Sequence, residues 1–320
     1  MEGAVRQAGG QAVRWRLPCG GVLILLALTG ASSANVLYVG PGEKYPLPSQ
    51  AINAAAPGDT IRIAAGSYRD CAAWSTDNLT VEGTGAGPVI SGAACQGKGI
   101  FVVDAQNATI RNITFEGAET DEGNGSGIRA EGTNITVEDC TFRNNQDGIL
   151  TANRKGAIVL IRRSTFDGNG ACLPNEGCAH GVYIGFVALA RIEHSHFIAT
   201  KVGHHVKSRA RRTELIDNTI EDGPRGTSSY LVDLPTGGSL LMTGNTLQKG
   251  PNTENPSAAV SIGEEGAKRP PGEITVSGNT FINNGPRTVF VRNLTKTPAR
   301  LNGNIIKGPV QTLAGPGSID

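Results

Sequence analysis

A short hydrophobic and polar pattern recurs along most of the chain. In each copy, apolar residues alternate with polar ones, and a few residues later a polar position precedes an aromatic or aliphatic side chain. The copies end at Phe115, Phe142, Phe166, Phe197, Ile220, Leu247, Phe281 and Ile306. Alternation with a period of two is typical of β-strands, and recurrence every roughly 25 to 35 residues is typical of solenoids. The pattern therefore predicts stacked β-coils with these eight residues in one interior column.

A second alternating strand follows a turn in each coil. Its inward-facing residues form a second predicted column of Ile128, Ile149, Val182, Val206, Leu231, Val260 and Val289. Two residues before the first column stand Asn218, Asn245, Asn279 and Asn304, which predict a ladder of side-chain amides at a turn that tolerates left-handed backbone. The segment from Ser49 to Ala56 lies between two prolines and is predicted to be a short helix that caps the N-terminal end.

The first 34 residues have the features of a secretory signal peptide. Arginines precede an apolar run from Val22 to Leu28, and Ser32, Ser33 and Ala34 offer small residues for cleavage. The run is shorter than the ~20 residues of a membrane span, and no later segment is longer. We therefore predict a signal peptide over 1–34, a single domain over 35–320 and a secreted or periplasmic protein that acts as a monomer.

Composition and charge narrow the class of the protein. The 44 glycines show no collagen-like period, so they indicate many turns between short strands. A formal net charge of +1 argues against a globally basic protein that binds nucleic acid. An anionic partner must therefore meet a local patch of positive charge.

The cysteines predict two short-range disulfides. An exported chain is exposed to oxidising conditions, and five cysteines follow the predicted signal peptide. We expect Cys71 to pair with Cys95 and Cys172 with Cys178. Cys140, inside a strand pattern, is expected to be a free and buried core residue.

The chain resembles the right-handed parallel β-helix proteins of the pectate-lyase-like superfamily. The resemblance is carried by the stretch from Pro48 to Tyr68, with its cap helix followed by Gly58-Asp-Thr-Ile-Arg-Ile63, and by the repeated coil pattern. It implies an all-β, right-handed parallel β-helix of about ten coils. It also implies a polysaccharide groove along the outer face of the second-strand column, and it leaves calcium open as a cofactor. No three carboxylates are predicted at one level, so we predict no particular metal site.

All five histidines and a basic cluster lie close together in sequence. The histidines fall between residues 180 and 205, and lysines and arginines continue to Arg212. With alternate residues facing the core, six residues are expected on the outer face: Tyr183, His205, Lys207, Arg209, Tyr230 and Val232. We expect the groove to be walled by the loops around Cys172 to Cys178 and around Glu264 to Gly272.

These residue types suit chemistry on an acidic polysaccharide. Lyases and C5-epimerases of uronates remove the C5 proton, which requires the adjacent carboxylate to be neutralised. Lys207 is the predicted base, Arg209 the carboxylate partner, and Tyr183 or His205 the acid. The predicted substrate-binding residues are His180, His204, Tyr230 and Arg211.

Two other functions stay open at this point. Gly203-His204-His205 and Asn145-Gln-Asp-Gly-Ile149 are similar to motifs of polygalacturonase-like hydrolases, but the paired carboxylates that hydrolysis needs are missing. A non-catalytic β-helix that binds glycan or builds an envelope structure is the remaining alternative, since one solenoid fold serves many functions.

Overall fold

The protein is a stack of β-coils built from three parallel sheets. A computed structural model describes Gly9 and residues 34–92, 94–174, 176–269 and 272–320. Residues Ala34–Asp320 form one compact unit. The predicted signal peptide lies outside the described residues apart from Gly9 and Ala34, and it stays a prediction.

The first sheet contains twelve strands among the described residues, paired in parallel in chain order. They are Val36–Val39, Thr60–Ile63, Thr80–Gly83, Gln106–Arg111, Thr133–Glu138, Ile158–Arg162, Leu189–Glu193, Arg212–Ile216, Ser239–Thr243, Ile274–Ser277, Ala299–Asn302 and Gly317–Ile319.

The second sheet has ten described strands. They are Gly66–Arg69, Pro88–Ser91, Thr114–Glu116, Thr141–Arg143, Thr165–Asp167, His196–Ile198, Thr219–Glu221, Thr246–Lys249, Thr280–Asn283 and Ile305–Lys307.

The third sheet, whose outer face carries the candidate site, also has ten described strands. They are Ala72–Trp74, Gly99–Val103, Ser126–Ala130, Asp147–Thr151, Val182–Ile184, Val206–Ser208, Val232–Leu234, Ala258–Ile262, Thr288–Asn293 and Val310–Ala314. A small antiparallel pair, Ala171–Cys172 and Cys178–Ala179, projects from the coil between the fourth and fifth of these strands.

The second sheet confirms the first predicted column. Its strands are in register, so the side chains from Phe115 to Ile306 lie at equivalent positions on successive coils. The rings of Phe142 and Phe166 stack with centroids 4.8 Å apart, and those of Phe166 and Phe197 with centroids 4.4 Å apart. The second sheet thus contributes a continuous apolar stack to the core, in which each residue packs on the equivalent residue of the next coil.

The second predicted column is correct over five coils and wrong over two. Ile128, Ile149, Val182 and Val206 are in register, and the next inward residues are Val232, Val260 and Val291. The predictions of Leu231 and Val289 at these positions were therefore wrong. Leu231 is buried one residue earlier, at a bend before its strand begins, where the alternation of the strand does not hold.

The predicted asparagine ladder is present. The Nδ2 of Asn218 donates to Oδ1 of Asn245, and Asn245 donates in the same way to Asn279, each at 2.9 Å. Asn279 continues the ladder to Asn304 at 2.9 Å. The left-handed residue of each turn is the one just before the ladder residue, such as Gly244 with φ of 70°. The amides thus bind one coil to the next along a buried edge.

One helix and two disulfides complete the described fold. The predicted cap helix spans Pro48–Ala54 and packs on the first coils. Both predicted disulfides are present, Cys71 with Cys95 and Cys172 with Cys178, and Cys140 is free and buried. None of the helices in the described part of the chain has the length and hydrophobicity needed to cross a membrane.

Candidate functional site

A row of polar side chains runs along the outer face of the third sheet. Because its strands are parallel and in register, equivalent positions of successive coils stack about 4.8 Å apart. One outward row consists of Leu150, Tyr183, Lys207, Asp233, Ser261 and Arg292. We call this the central row. It places Tyr183, Lys207 and Asp233 on three neighbouring strands.

Lys207 occupies the middle of the central row. Its side chain is 15% exposed, and its Nζ lies 5.1 Å from the centroid of the Tyr183 ring. Within the described ranges, the one carboxylate oxygen within 4 Å is Glu265 Oε1, at 3.7 Å. The amine is therefore held beside a phenol ring without a hydrogen-bonded carboxylate partner in that part of the chain.

Arg209 lies two residues after Lys207, on the same outer side. Its Nε donates a hydrogen bond to Tyr183 Oη at 2.9 Å. Its two terminal nitrogens donate to the two carboxylate oxygens of Glu265 at 2.7 and 2.8 Å. The hydrogen bond from Arg209 holds the pKa of Glu265 below its usual value. Arg209 thus joins the phenol of Tyr183 to a bidentate carboxylate.

A second row, which we call the histidine row, borders the central row. It consists of Asp147, His180, His204 and Tyr230. The His180 and His204 rings stack with centroids 4.8 Å apart, and His204 and Tyr230 stack at 5.1 Å. The predicted binding residues His180, His204 and Tyr230 are therefore together, although packing against one another covers most of their surface.

Hydrogen bonds select the tautomer of both histidines. The Nδ1 of His180 accepts the backbone N–H of His204 at 3.0 Å, and the Nδ1 of His204 accepts that of Tyr230 at 3.1 Å. Burial holds the pKa of His180 well below its usual value and lowers that of His204 to about 3. Both rings are thus neutral at physiological pH, with the remaining proton on Nε2.

Two carboxyl groups of the site are buried and carry raised pKa values. Burial raises the pKa of Asp147 to about 8 and that of Asp233 to about 7, against the lowering effect of nearby Lys207. Asp147 Oδ1 accepts the backbone N–H of His180 at 2.7 Å. Asp233 Oδ2 lies 3.4 Å from His204 Nε2. Buried carboxyl groups with raised pKa values are typical of functional sites.

Asp233 was missed by the sequence analysis, which placed Val232 on the outer face. A comparison of three four-residue segments identifies Asp233 as the outward residue. His180-Gly-Val-Tyr183, His204-His-Val-Lys207 and Tyr230-Leu-Val-Asp233 share an inward valine at the third position. Aligning these valines places Asp233 next to Lys207.

The expected outward position of His205 was wrong. Its side chain is fully buried, with Nδ1 2.8 Å from Thr200 Oγ1 and Nε2 3.0 Å from Asp222 Oδ1. His205 belongs to the turn that precedes the strand beginning at Val206, so the alternation of the strand does not extend to it. A side chain so enclosed cannot contact a polysaccharide in the groove.

Arg211 also lies apart from the two rows. It follows the end of the third-sheet strand and lines a different cleft on the first sheet, together with Ile158 and Leu189. The structure therefore brings together six of the eight predicted site residues: Tyr183, Lys207, Arg209, His180, His204 and Tyr230.

The side chains of the groove are not a suitable set of ligands for calcium. The central row carries Lys207 and Arg292, and its neighbour Arg209 already binds a carboxylate. Among the described residues, no group of three acidic, histidine or cysteine side chains is arranged to hold a metal ion. Calcium prefers six to eight oxygen ligands, and cations at this spacing would repel it.

The two expected walls of the groove are both present in part. A cleft of about 460 Å³ lies beside Tyr183 and Asp147 and is lined by Glu176, Gly177 and Cys178 of the disulfide loop. On the other side, Glu265 reaches Arg209 from the loop that follows the strand Ala258–Ile262. The outer strip is thus bordered by side chains from two loops.

Comparison with known proteins agrees with this architecture. Residues 77–175 match a family model described as a right handed beta helix region. The protein is a right-handed parallel β-helix. No curated protein sequence matches the chain.

Two solved structures are similar to this β-helix at low sequence identity. An alginate lyase from Paenibacillus sp. str. FPU-7 is 14% identical, with a TM-score of 0.46, 87% of this chain covered and 99% of the other. The catalytic unit of a thermostable GH87 α-1,3-glucanase from Streptomyces thermodiastaticus strain HF3-3 is also 14% identical, with a TM-score of 0.41, 84% of this chain covered and 62% of the other.

Proposed function

We propose that the protein is a secreted or periplasmic enzyme that acts on an acidic, uronate-containing polysaccharide by β-elimination or the related C5 epimerisation. The observation that carries the proposal is the arrangement of Lys207 and Tyr183 side by side in the central row, with Arg209 hydrogen-bonded to the phenol oxygen. A base, an acid and a guanidinium are the three groups that this chemistry uses.

Each group has a distinct role in the proposed elimination. Lys207 Nζ, in its neutral form, takes the C5 proton, and the C4–O4 bond breaks as the C4–C5 double bond forms. Tyr183 gives its proton to the departing O4. Because Arg209 donates to Tyr183 Oη, the phenol's own hydrogen is free to point elsewhere, and the positive charge stabilises the phenolate that remains. In epimerisation the C4–O4 bond stays intact, and the carbanion formed at C5 takes a proton from Tyr183 on the face opposite Lys207.

The neutral histidine row supports substrate binding more than proton transfer. His180 and His204 hold Tyr230 and the central row in place through stacking and backbone hydrogen bonds.

Two disulfides support an extracellular or periplasmic location, where oxidised cysteines persist.

The test is turnover of a panel of alginate, pectate, glucuronan and bacterial exopolysaccharides, measured by the ultraviolet absorbance of unsaturated uronate. We expect one of them to be cleaved by the wild type. Lys207→Ala should lower kcat at least about 100-fold, the usual contribution of a positioned base. Lys201→Ala is the control, because it removes an exposed lysine of the same coil outside the two rows.

Tyr183→Phe tests the role of Tyr183 as the acid without disturbing packing, since it removes only the hydroxyl group. We expect cleavage to be lost while the melting temperature stays near that of the wild type. Repeating the assay with EDTA tests calcium dependence, and NMR of the products at C5 detects epimerisation. Full activity of Lys207→Ala would contradict the base assignment.

A second candidate function is non-catalytic glycan binding. The observation that favours it is the pairing of the groove cations with the protein's own glutamates, which a binding surface tolerates more easily than a catalytic one. In that case no polysaccharide is turned over, and binding to polyuronate weakens as salt is raised.

A further inference from the structure

Two adjacent glutamates of one loop cover the cations of the groove. The loop runs from Gly263 to Arg269, and we call it the acidic loop. Glu265 makes the bidentate pair with Arg209 and lies 3.7 Å from Lys207 Nζ. Glu264 forms an ion pair with Arg292 and accepts a hydrogen bond from Ser261 Oγ at 3.1 Å. The loop thus places one carboxylate at each of two cationic positions.

The acidic loop is fastened to the β-helix by contacts that do not involve these carboxylates. The backbone N–H of Glu265 donates to Pro235 O at 2.8 Å. The Nε of Arg269 donates to Arg209 O at 2.9 Å, and its guanidinium lies 4.5 Å from the Phe186 ring centroid. The loop can therefore keep its place when the glutamate side chains turn away.

The two carboxylates are also accessible. The side chains of Glu264 and Glu265 are each 42% exposed, whereas those of their partners Arg292 and Arg209 are 22% and 13% exposed. Ion pairs with this much solvent contact contribute little net stability, so exchange for another carboxylate is easy. The cations are fixed in the groove and the anions lie on its open side.

We propose that Glu264 and Glu265 act as internal competitors that occupy two carboxylate subsites, and that the carboxylates of an acidic polysaccharide displace them on binding. This inference rests on the groove of the proposed function. A uronate carboxylate presents the same two oxygens to a guanidinium as a glutamate does. Neutral glucans have no group that can replace the glutamates, so the acidic loop selects polymers carrying carboxylates on more than one sugar.

The experiment measures binding of oligogalacturonate and oligomannuronate by calorimetry. Glu265→Gln, Glu264→Gln and the double variant are made in the Tyr183→Phe background, which keeps every cation and prevents turnover. Each single variant should bind an oligouronate about fivefold more tightly, because this change in Kd corresponds to the free energy that one exposed ion pair contributes. The double variant should bind more tightly still, and neutral dextran should bind to none.

Glu254→Gln is the matched control, because Glu254 is an exposed glutamate of the preceding loop and has no ion pair among the described residues. It changes the net charge equally and should leave the Kd unchanged. Equal or weaker binding by Glu265→Gln would overturn the inference and make Glu265 a positioning residue for Arg209. The same holds if no variant binds a polyuronate, because removal of the glutamates then uncovers no anion site.

The two proposals fail in different ways. In one outcome, the glutamine variants bind more tightly while the single Glu265→Gln variant, which keeps the native Tyr183, forms no unsaturated product. That result would refute the elimination and leave the competition by the glutamates intact. Product formation by the wild type with unchanged binding in the glutamine variants would do the reverse.

Discussion

Asp147 shows how one buried side chain couples the groove to pH. It is 1% exposed, and burial raises its pKa from 3.8 to about 8. The folded protein therefore binds a proton at Asp147 that the unfolded chain releases above about pH 4. The contribution of Asp147 to the free energy of unfolding therefore falls as pH rises from about 4 to about 8, by at most about 1.4 kcal/mol per pH unit.

Asp147→Asn should remove this dependence. The amide oxygen can still accept the backbone N–H of His180, and the side chain no longer ionises. Urea unfolding at pH 5, 6, 7, 8 and 9 should show the stability of the variant rising relative to the wild type up to about pH 8, then levelling. Asp121→Asn, at an exposed position, is the control. Parallel curves for Asp147→Asn and the wild type would show that Asp147 does not hold its proton in the folded state.

At the scale of a coil, the ladder side chains bind each turn to the next. Asn245 Oδ1 accepts both the backbone N–H and the Nδ2 of Asn218, each at 2.9 Å. The ladder continues toward the N-terminus through Ser195 and Ser164, whose hydroxyl groups accept the backbone N–H of the preceding coil's ladder residue. An acceptor at this position is therefore the constant feature, and the amide is one way to supply it.

Asn245→Ala should destabilise the protein by about 2 to 4 kcal/mol, because the buried donors of Asn218 lose their acceptor. Asn245→Ser should cost less, since a hydroxyl group serves at the same position in Ser195. Chemical unfolding of the two variants at one pH measures the difference. If alanine and serine were equally destabilising, shape rather than hydrogen bonding would explain the ladder.

At the scale of the whole molecule, Cys140 reports opening of the solenoid core. Its thiol is buried in the middle of the stack, and burial raises its pKa to about 12. A thiolate is the reactive form, so both access and ionisation protect Cys140 in the folded protein. The four other described cysteines are in disulfides.

We expect a maleimide to leave Cys140 unmodified under native conditions and to modify it completely in non-reducing denaturant, as measured by peptide mapping. Labelling as a function of urea should follow the global unfolding transition, since the apolar stack lets no coil in the middle open alone. Native labelling at a rate independent of stability would show instead a local opening near Cys140.

The coil stack itself could be derived from the sequence, because each interaction that builds it joins residues one repeat apart. Phe142 and Phe166 are neighbours in space because they are at equivalent places in successive repeats, and so are Asn218 and Asn245. The same reasoning placed Lys207 beside Tyr183. In these cases periodicity alone determines the contact.

Only the tertiary structure decided what happens at turns and between loops. A turn of variable shape before each third-sheet strand changes which residue faces inward, so His205 is buried and Asp233, not Val232, faces the groove. Glu265 meets Arg209 across 56 residues of sequence. No period relates these two residues, because a loop's path depends on the surface it packs against.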